Sequence, residues 1–172
     1  MNSLKVGDKV VYPNQGLGIV EAIRDQALDG NRFKVYHLRL LSNNTLIMIP
    51  SADAMEMGIR RPVSEENIEG IFHQLRKGAV EITKNWKGRY KEHVNLMKSG
   101  SLNDMICVLK CLYYLSLMKP LSFREKKMME KARDLIVSEL SLACSLSSED
   151  IEKRIQKSLA ACFKGVKPEL GF

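Results

Sequence analysis

The hydropathy period of this chain changes once, after Arg60-Arg61-Pro62, and does not change back. Before that point apolar residues come in short runs, Val10-Val11-Tyr12, Gly18 to Ile23, Phe33 to Leu40 and Thr45 to Ile49. Tyr36, Leu38 and Leu40 alternate with His37 and Arg39, which predicts a strand with one buried and one solvated face. Pro13-Asn14-Gln15-Gly16, Asp29-Gly30-Asn31 and Ser42-Asn43-Asn44 supply turn chemistry between the runs, at intervals that suit a small antiparallel barrel or meander. Beyond Pro62 the apolar residues recur at helical spacing. The expectation is an α+β chain with a β domain over residues 1–62, a helical domain over residues 63–163 and a loose tail over residues 164–172, where Gly165, Pro168 and Gly171 fall.

About five helices follow from the start and stop signals. Ser64-Glu65-Glu66-Asn67 opens the first, which Ile68, Ile71, Phe72 and Leu75 carry towards Gly78. A second holds Trp86 and stops at Ser99-Gly100. Ser101 caps a third, Leu102 to Met118, apolar enough to be the centre of a bundle. Lys119-Pro120 stops it, and Ser122-Phe123-Arg124-Glu125 has capping-box spacing for a fourth that runs to Cys144. Ser147 or Ser148 caps a fifth through Ile151, Ile155, Leu159 and Phe163.

Charge is concentrated around the second helix. From Arg76 to Lys98 there are seven Lys/Arg (Arg76, Lys77, Lys84, Lys87, Arg89, Lys91, Lys98) against Glu81 and Glu92, so +5 of the chain's +7 lies in 23 residues. Residues 1–62 carry eight Lys/Arg against six Asp/Glu, and a protein partner suits that surface better than DNA. The chain's one tryptophan, Trp86, sits within the cationic run. Localised cations neutralise phosphates, and a flat apolar ring can stack on bases or wedge between base steps. Spacing offers a plainer reading: Trp86, Tyr90, Val94 and Met97 recur as the core stripe of an ordinary helix. A first-turn Trp can belong to either face, and both readings stand at this point.

Catalytic signatures are absent. There is no P-loop, G-x-G-x-x-G, G-x-S-x-G or H-E-x-x-H pattern. Gly16-Leu17-Gly18 lacks the third glycine and following helix of a dinucleotide site and reads as a close backbone approach. Glu65-Glu66 and Glu149-Asp150 sit at helix starts, where they compensate dipoles. Glu125, Lys126, Lys127 and Lys131 read as a solvated face, with a DNA-facing role as the alternative. Cys107, Cys111, Cys144 and Cys162 fall on apolar helix faces without C-x-x-C spacing, so reduced, buried thiols are expected. Cys107 and Cys111 are four residues apart, but His37, His73 and His93 show no ligand spacing with them, and no metal or cofactor is expected. No apolar run approaches the ~20 residues that span a bilayer, and the first residues carry no signal-peptide pattern, so a cytoplasmic protein without a membrane partner is expected.

The joint order of several motifs is more specific. Val6-Gly7-Asp8-Lys9-Val10-Val11-Tyr12-Pro13 leads to Gln15-Gly16-Leu17-Gly18, then Ile47-Met48-Ile49-Pro50, then Asn85-Trp86 with Arg89-Tyr90, and then Leu121-Ser122-Phe123-Arg124-Glu125 before Ala132-Arg133. From about residue 4 to 160 this order resembles the CarD/CdnL family of bacterial transcription regulators. The opening strand pattern also resembles the polymerase-interacting module of the transcription-repair coupling factor, which lacks the helical half with its tryptophan.

The resemblance implies a Tudor/SH3-like barrel that docks on the β-subunit lobe of RNA polymerase. It implies a helical domain that meets promoter DNA at the upstream edge of the bubble. It gives Trp86 the role of a minor-groove wedge, and Lys84, Lys87, Arg89, Tyr90 and Lys91 the DNA contacts around it. For polymerase it points to Arg39, Leu46, Ile47, Met48 and Pro50. The family often has an arginine in the strand before the proline; Leu46, Ile47 and Met48 offer none, which leaves Arg39, strand pairing or apolar area. The family also commonly has two basic residues between Trp and Tyr, whereas Gly88 stands here between Lys87 and Arg89. The implied function is a non-enzymatic regulator, a monomer associated with the nucleoid through polymerase, that prolongs the open complex because reclosing DNA must displace the wedge. An adaptor that binds polymerase without touching DNA is the alternative.

Overall fold

A computed structural model of the chain describes residues 3–81 and 85–166, and of Trp86 the backbone only. Lys84 and residues 167–172, expected at a DNA contact and in the tail, lie outside the described residues. The chain divides into two compact units, Met1–Pro62 and Val63–Phe172.

The first unit is one antiparallel sheet in the order β1 (Lys9–Tyr12), β2 (Gly16–Leu28), β3 (Asn31–Leu40), β4 (Leu46–Pro50), curled as a half-barrel. Asp29 and Gly30, at φ 52° and 81°, give the β2–β3 hairpin a two-residue turn with both central residues left-handed, which matches the strand twist. Gly18 is required by proximity, because a Cβ there would stand 3.2 Å from the Arg39 carbonyl oxygen. The register slips between Val20 and Ala22, and this bulge bends β2 over a core of Val10, Val20, Tyr36, Leu38, Ile49, Ala54 and Ile59.

Two strand features differ from expectation. β2 runs five residues past Ile23, through Arg24 to Leu28, where each residue is exposed. Its ladder with β3 holds that arm extended, so no burial pattern marks it in the sequence. His37, assigned to the solvated face, is 8 % exposed, with its Nε2 unpartnered among the described residues. The register sets it between Ala22 and Met48. A small neighbour on one side and a long one on the other let the sheet cover the ring.

The second unit has a 3-10 turn at Glu65–Asn67 and five helices: α1 (Ile68–Arg76), α2 (Trp86–Lys98), α3 (Leu102–Met118), α4 (Phe123–Cys144) and α5 (Ser148–Cys162). Asn85, Ser101, Ser122 and Ser147 each accept a backbone N–H at a helix start, and Ser122 with Glu125 completes a capping box. Ser64 makes no side-chain cap, since the 3-10 turn intervenes before α1. α3 is the centre, with Met105, Ile106, Val108, Leu109, Leu112 and Leu115 buried, and it packs on α2 and α4 while α1 packs on α5. Arg154 of α5, paired with Glu69, lies 3.9 Å over the ring of the fully buried Phe72. No described helix is long and apolar enough to cross a membrane.

Candidate nucleic-acid interface

The start of α2 is built from two side-chain anchors. The Asn85 side chain accepts the Lys87 N–H at 3.1 Å, which fixes where the helix begins and puts Trp86 at its first position. Arg89, one turn on, is only 4 % exposed and donates to Glu125 Oε1 at 2.8 Å. The other carboxylate oxygen of Glu125 accepts the Ser122 N–H at 3.0 Å and the Ser122 hydroxyl at 2.8 Å. Glu125, expected on a solvated face, is instead a buried carboxylate that caps α4 and ties it to the first turn of α2, because Arg89 and Ser122 satisfy both of its oxygens. Burial pushes the Glu125 carboxyl up, but hydrogen bonds from Arg89 and Ser122 outweigh it and hold the group below the usual carboxylate range. His93, next on the same stripe and 4 % exposed, is held below its ordinary value by burial and then by Arg89.

These placements correct the expectation for α2. The buried line is Arg89, His93 and Met97, while Tyr90 and Val94 are half-buried beside it. A helical wheel weighted by apolarity puts the stripe one residue late, because two of its three members are polar, and Arg89 is satisfied by Glu125 of α4. Arg89 is therefore no exposed phosphate ligand; its guanidinium is consumed in the interior. Lys87 and Lys91 are exposed and one turn apart, and the Arg124 guanidinium lies 5.9 Å over the half-buried Tyr90 ring. Gly88 is exposed, and a Cβ there would meet Asn85 side-chain atoms at 3.8 and 3.9 Å, ordinary contact. Geometry does not require glycine at that position.

Sequence reasoning gave Lys110 no role. It is 7 % exposed inside the apolar α3, and its ammonium donates to the carbonyls of Gln74 at 2.9 Å, Lys77 at 2.6 Å and Gly78 at 3.4 Å. It therefore satisfies the C-terminal end of α1 and holds the start of the segment leading to α2. The signal was a lone cation in an otherwise apolar helix run, since such a charge must find partners. Phe123, 74 % exposed at the start of α4, was also read only as part of a motif.

The cysteines are not uniformly buried. Cys111 is buried, Cys144 and Cys162 are partly so, and Cys107 is exposed. A hydrogen bond with Cys111 draws the Cys107 thiol down to about 7. Among the described residues no group of three or more His, Cys, Asp and Glu could hold a metal ion.

In the first unit β4 is an open edge. The chain after β4 returns to β1, where Val11 and Arg60 exchange backbone hydrogen bonds at 2.8 and 3.3 Å. That covers the β1 side of the sheet and, among the described residues, leaves β4 paired only with β3 in the ladder. Leu40 donates to the Thr45 carbonyl and Ser51 to that of Lys34, so by antiparallel alternation Leu46 and Met48 direct their backbone groups off the edge. Their side chains are 40 % and 61 % exposed. Ile47, expected with them at the polymerase contact, instead packs on the core because successive residues point to opposite faces, and Pro50 is half-buried. Arg39 is already held by Glu21 at 2.8 Å and by the Asn44 carbonyl at 3.0 Å.

The open-edged sheet is joined in sequence to a capped helical unit with a cationic helix start. Residues 4–63 match the family model "CarD-like/TRCF RID domain" and residues 70–156 match "CarD, C-terminal domain". The chain belongs to the CarD family. It is 28 % identical over 148 residues to the transcription factor candidate YdeB of Bacillus subtilis (strain 168), covering 86 % of this chain and 97 % of YdeB. The NMR structure of the 72-residue N-terminal domain of Myxococcus xanthus CarD is 34 % identical and aligns with 34 % of this chain and 79 % of that one, at a TM-score of 0.30.

Proposed function

We propose that this regulator uses residues 1–62 to hold the lobe of the RNA polymerase β subunit and residues 63–163 to stabilise melted promoter DNA at the upstream edge of the bubble. The observation that carries the reading is the Asn85-capped start of α2, with Trp86 first in the helix and Lys87 and Lys91 exposed around it, in a chain whose two halves both match CarD family models. Trp86 serves as the minor-groove wedge, Lys84, Lys87 and Lys91 neutralise phosphates, and Tyr90 supports the wedge from the helix face. Arg89 acts by holding α2 against α4 rather than by touching DNA.

On the polymerase side, Leu46 and Met48 offer outward backbone groups and apolar side chains to a β-subunit strand, which is strand addition to an open edge. Arg39 orders that face, and Pro50 ends the edge because it has no N–H to offer. The protein acts without a cofactor or metal, as a monomer brought to the nucleoid by polymerase, and it makes or breaks no covalent bond.

Promoter-bubble lifetime with cognate polymerase, read from a fluorescent base in the melted region, tests this. Wild type extends the lifetime, whereas Trp86→Ala abolishes the extension and leaves polymerase affinity unchanged. Direct DNA affinity should fall linearly in logarithm with the logarithm of salt concentration, and Lys91→Glu should flatten that slope by about 1. A wild-type protein that binds polymerase but neither extends the bubble nor shows salt-dependent DNA binding would be the adaptor instead.

A further inference from the structure

Phe123 is the most exposed large apolar residue among those described, at 74 %, and no core contact accounts for it. It is the first residue of α4, whose next turns present Arg124, Lys126, Lys127 and Lys131 as exposed cations against one exposed acid, Glu130. Every other exposed position from 124 to 131 is thus charged. Phe123, Lys127 and Lys131 follow at i, i+4 and i+8 on one face, and the Lys127 ammonium lies 5.8 Å from the Phe123 ring centroid. The buried Arg89–Glu125 pair holds the starts of α4 and α2 together, and the Arg124–Tyr90 contact joins this surface to α2.

A ring alone in a cationic field is poorly suited to a protein partner, which needs contiguous apolar area, and well suited to a base. Single-strand binding surfaces combine backbone-tracking cations with aromatic faces on which unpaired bases stack. We infer that Phe123, flanked by Lys127 and Lys131, is a stacking platform for an unpaired base of melted DNA, a second aromatic contact beside Trp86. The inference extends the DNA-facing reading of the helical unit, but its residues and readout are separate from those of the wedge.

The test uses the full chain without polymerase. Affinity is measured for a fully paired duplex and for a forked duplex with unpaired arms, with 2-aminopurine in one arm beside the junction. Wild type should prefer the fork and change the 2-aminopurine signal. Phe123→Ala should lose about tenfold of fork affinity, leave duplex affinity within about twofold and abolish the signal change, while Phe123→Tyr retains all three. Lys127→Glu with Lys131→Glu should weaken both substrates and flatten the salt dependence. The inference is overturned if wild type shows no fork preference, if Phe123→Ala binds the fork as wild type does, or if it loses fork and duplex alike. Should Phe123→Ala lose fork preference while Trp86→Ala changes neither affinity nor bubble lifetime, the platform stands and the wedge reading fails. The opposite pattern rejects the platform alone. Because Phe123 is exposed, each variant should melt as wild type does.

Discussion

At residue 88 a glycine sits in the first turn of a helix where neither φ nor space demands one. Its cost is conformational entropy in the unfolded chain and lost propensity. Gly88→Ala should therefore stabilise the helical unit by up to about 1 kcal/mol, visible as a rise in denaturation midpoint with an unchanged slope. At the next residue, Arg89, the same helix depends on a side chain that the sequence presents as surface charge. Arg89→Met should cost about 3 kcal/mol, since it leaves the Glu125 carboxylate buried with only Ser122 as partner. Adding Glu125→Leu should cost less than the sum of the two single changes, and urea titration of the cycle would measure that coupling.

Among the elements, α1, α2 and α4 hold their relative positions through polar groups set in an apolar bundle. Lys110 is one: removing its ammonium strands the Gln74, Lys77 and Gly78 carbonyls that it now satisfies. Lys110→Met should lower stability by about 1–3 kcal/mol and raise amide exchange at the end of α1 more than in α4. On the sheet, Leu46→Pro removes a donor that the β3–β4 ladder does not use. It should leave the melting of the first unit near wild type and weaken polymerase binding about tenfold, as read by surface-immobilised polymerase. Loss of folding with loss of binding would show that the edge is structural.

For the helical unit as a whole, stability depends on pH through His93 and Glu125, both held below their ordinary values. As pH falls through 6.5, the unfolded chain protonates His93 while the buried ring stays neutral. Below 4.5 the unfolded chain protonates Glu125 while the folded carboxylate stays charged. Both terms bind more protons to the unfolded state, so stability is present at neutral pH and is lost progressively with acid. His93→Gln should flatten the upper part of that loss and leave the lower part, which thermal melts across the range would resolve.

What the sequence determined by itself was what local chemistry controls. The period change at Pro62, the Asp29-Gly30 turn and the caps at Ser101, Ser122 and Ser147 each act over a few residues, so the class of the fold and the starts of α3, α4 and α5 could be read directly. The joint order of motifs then placed the chain in its family. Tertiary structure alone decided which face of each element is inside when the inside is polar. Arg89 and Lys110 are buried because α4 and the end of α1 offer partners distant in sequence. His37 is covered because a register 15 residues wide sets Ala22 beside it. Periodicity measures apolarity and is blind to a charge neutralised from 36 residues away. Conversely, the exposure of Phe123 and the open edge at Leu46 and Met48 follow from what the rest of the fold leaves uncovered, which no local pattern encodes.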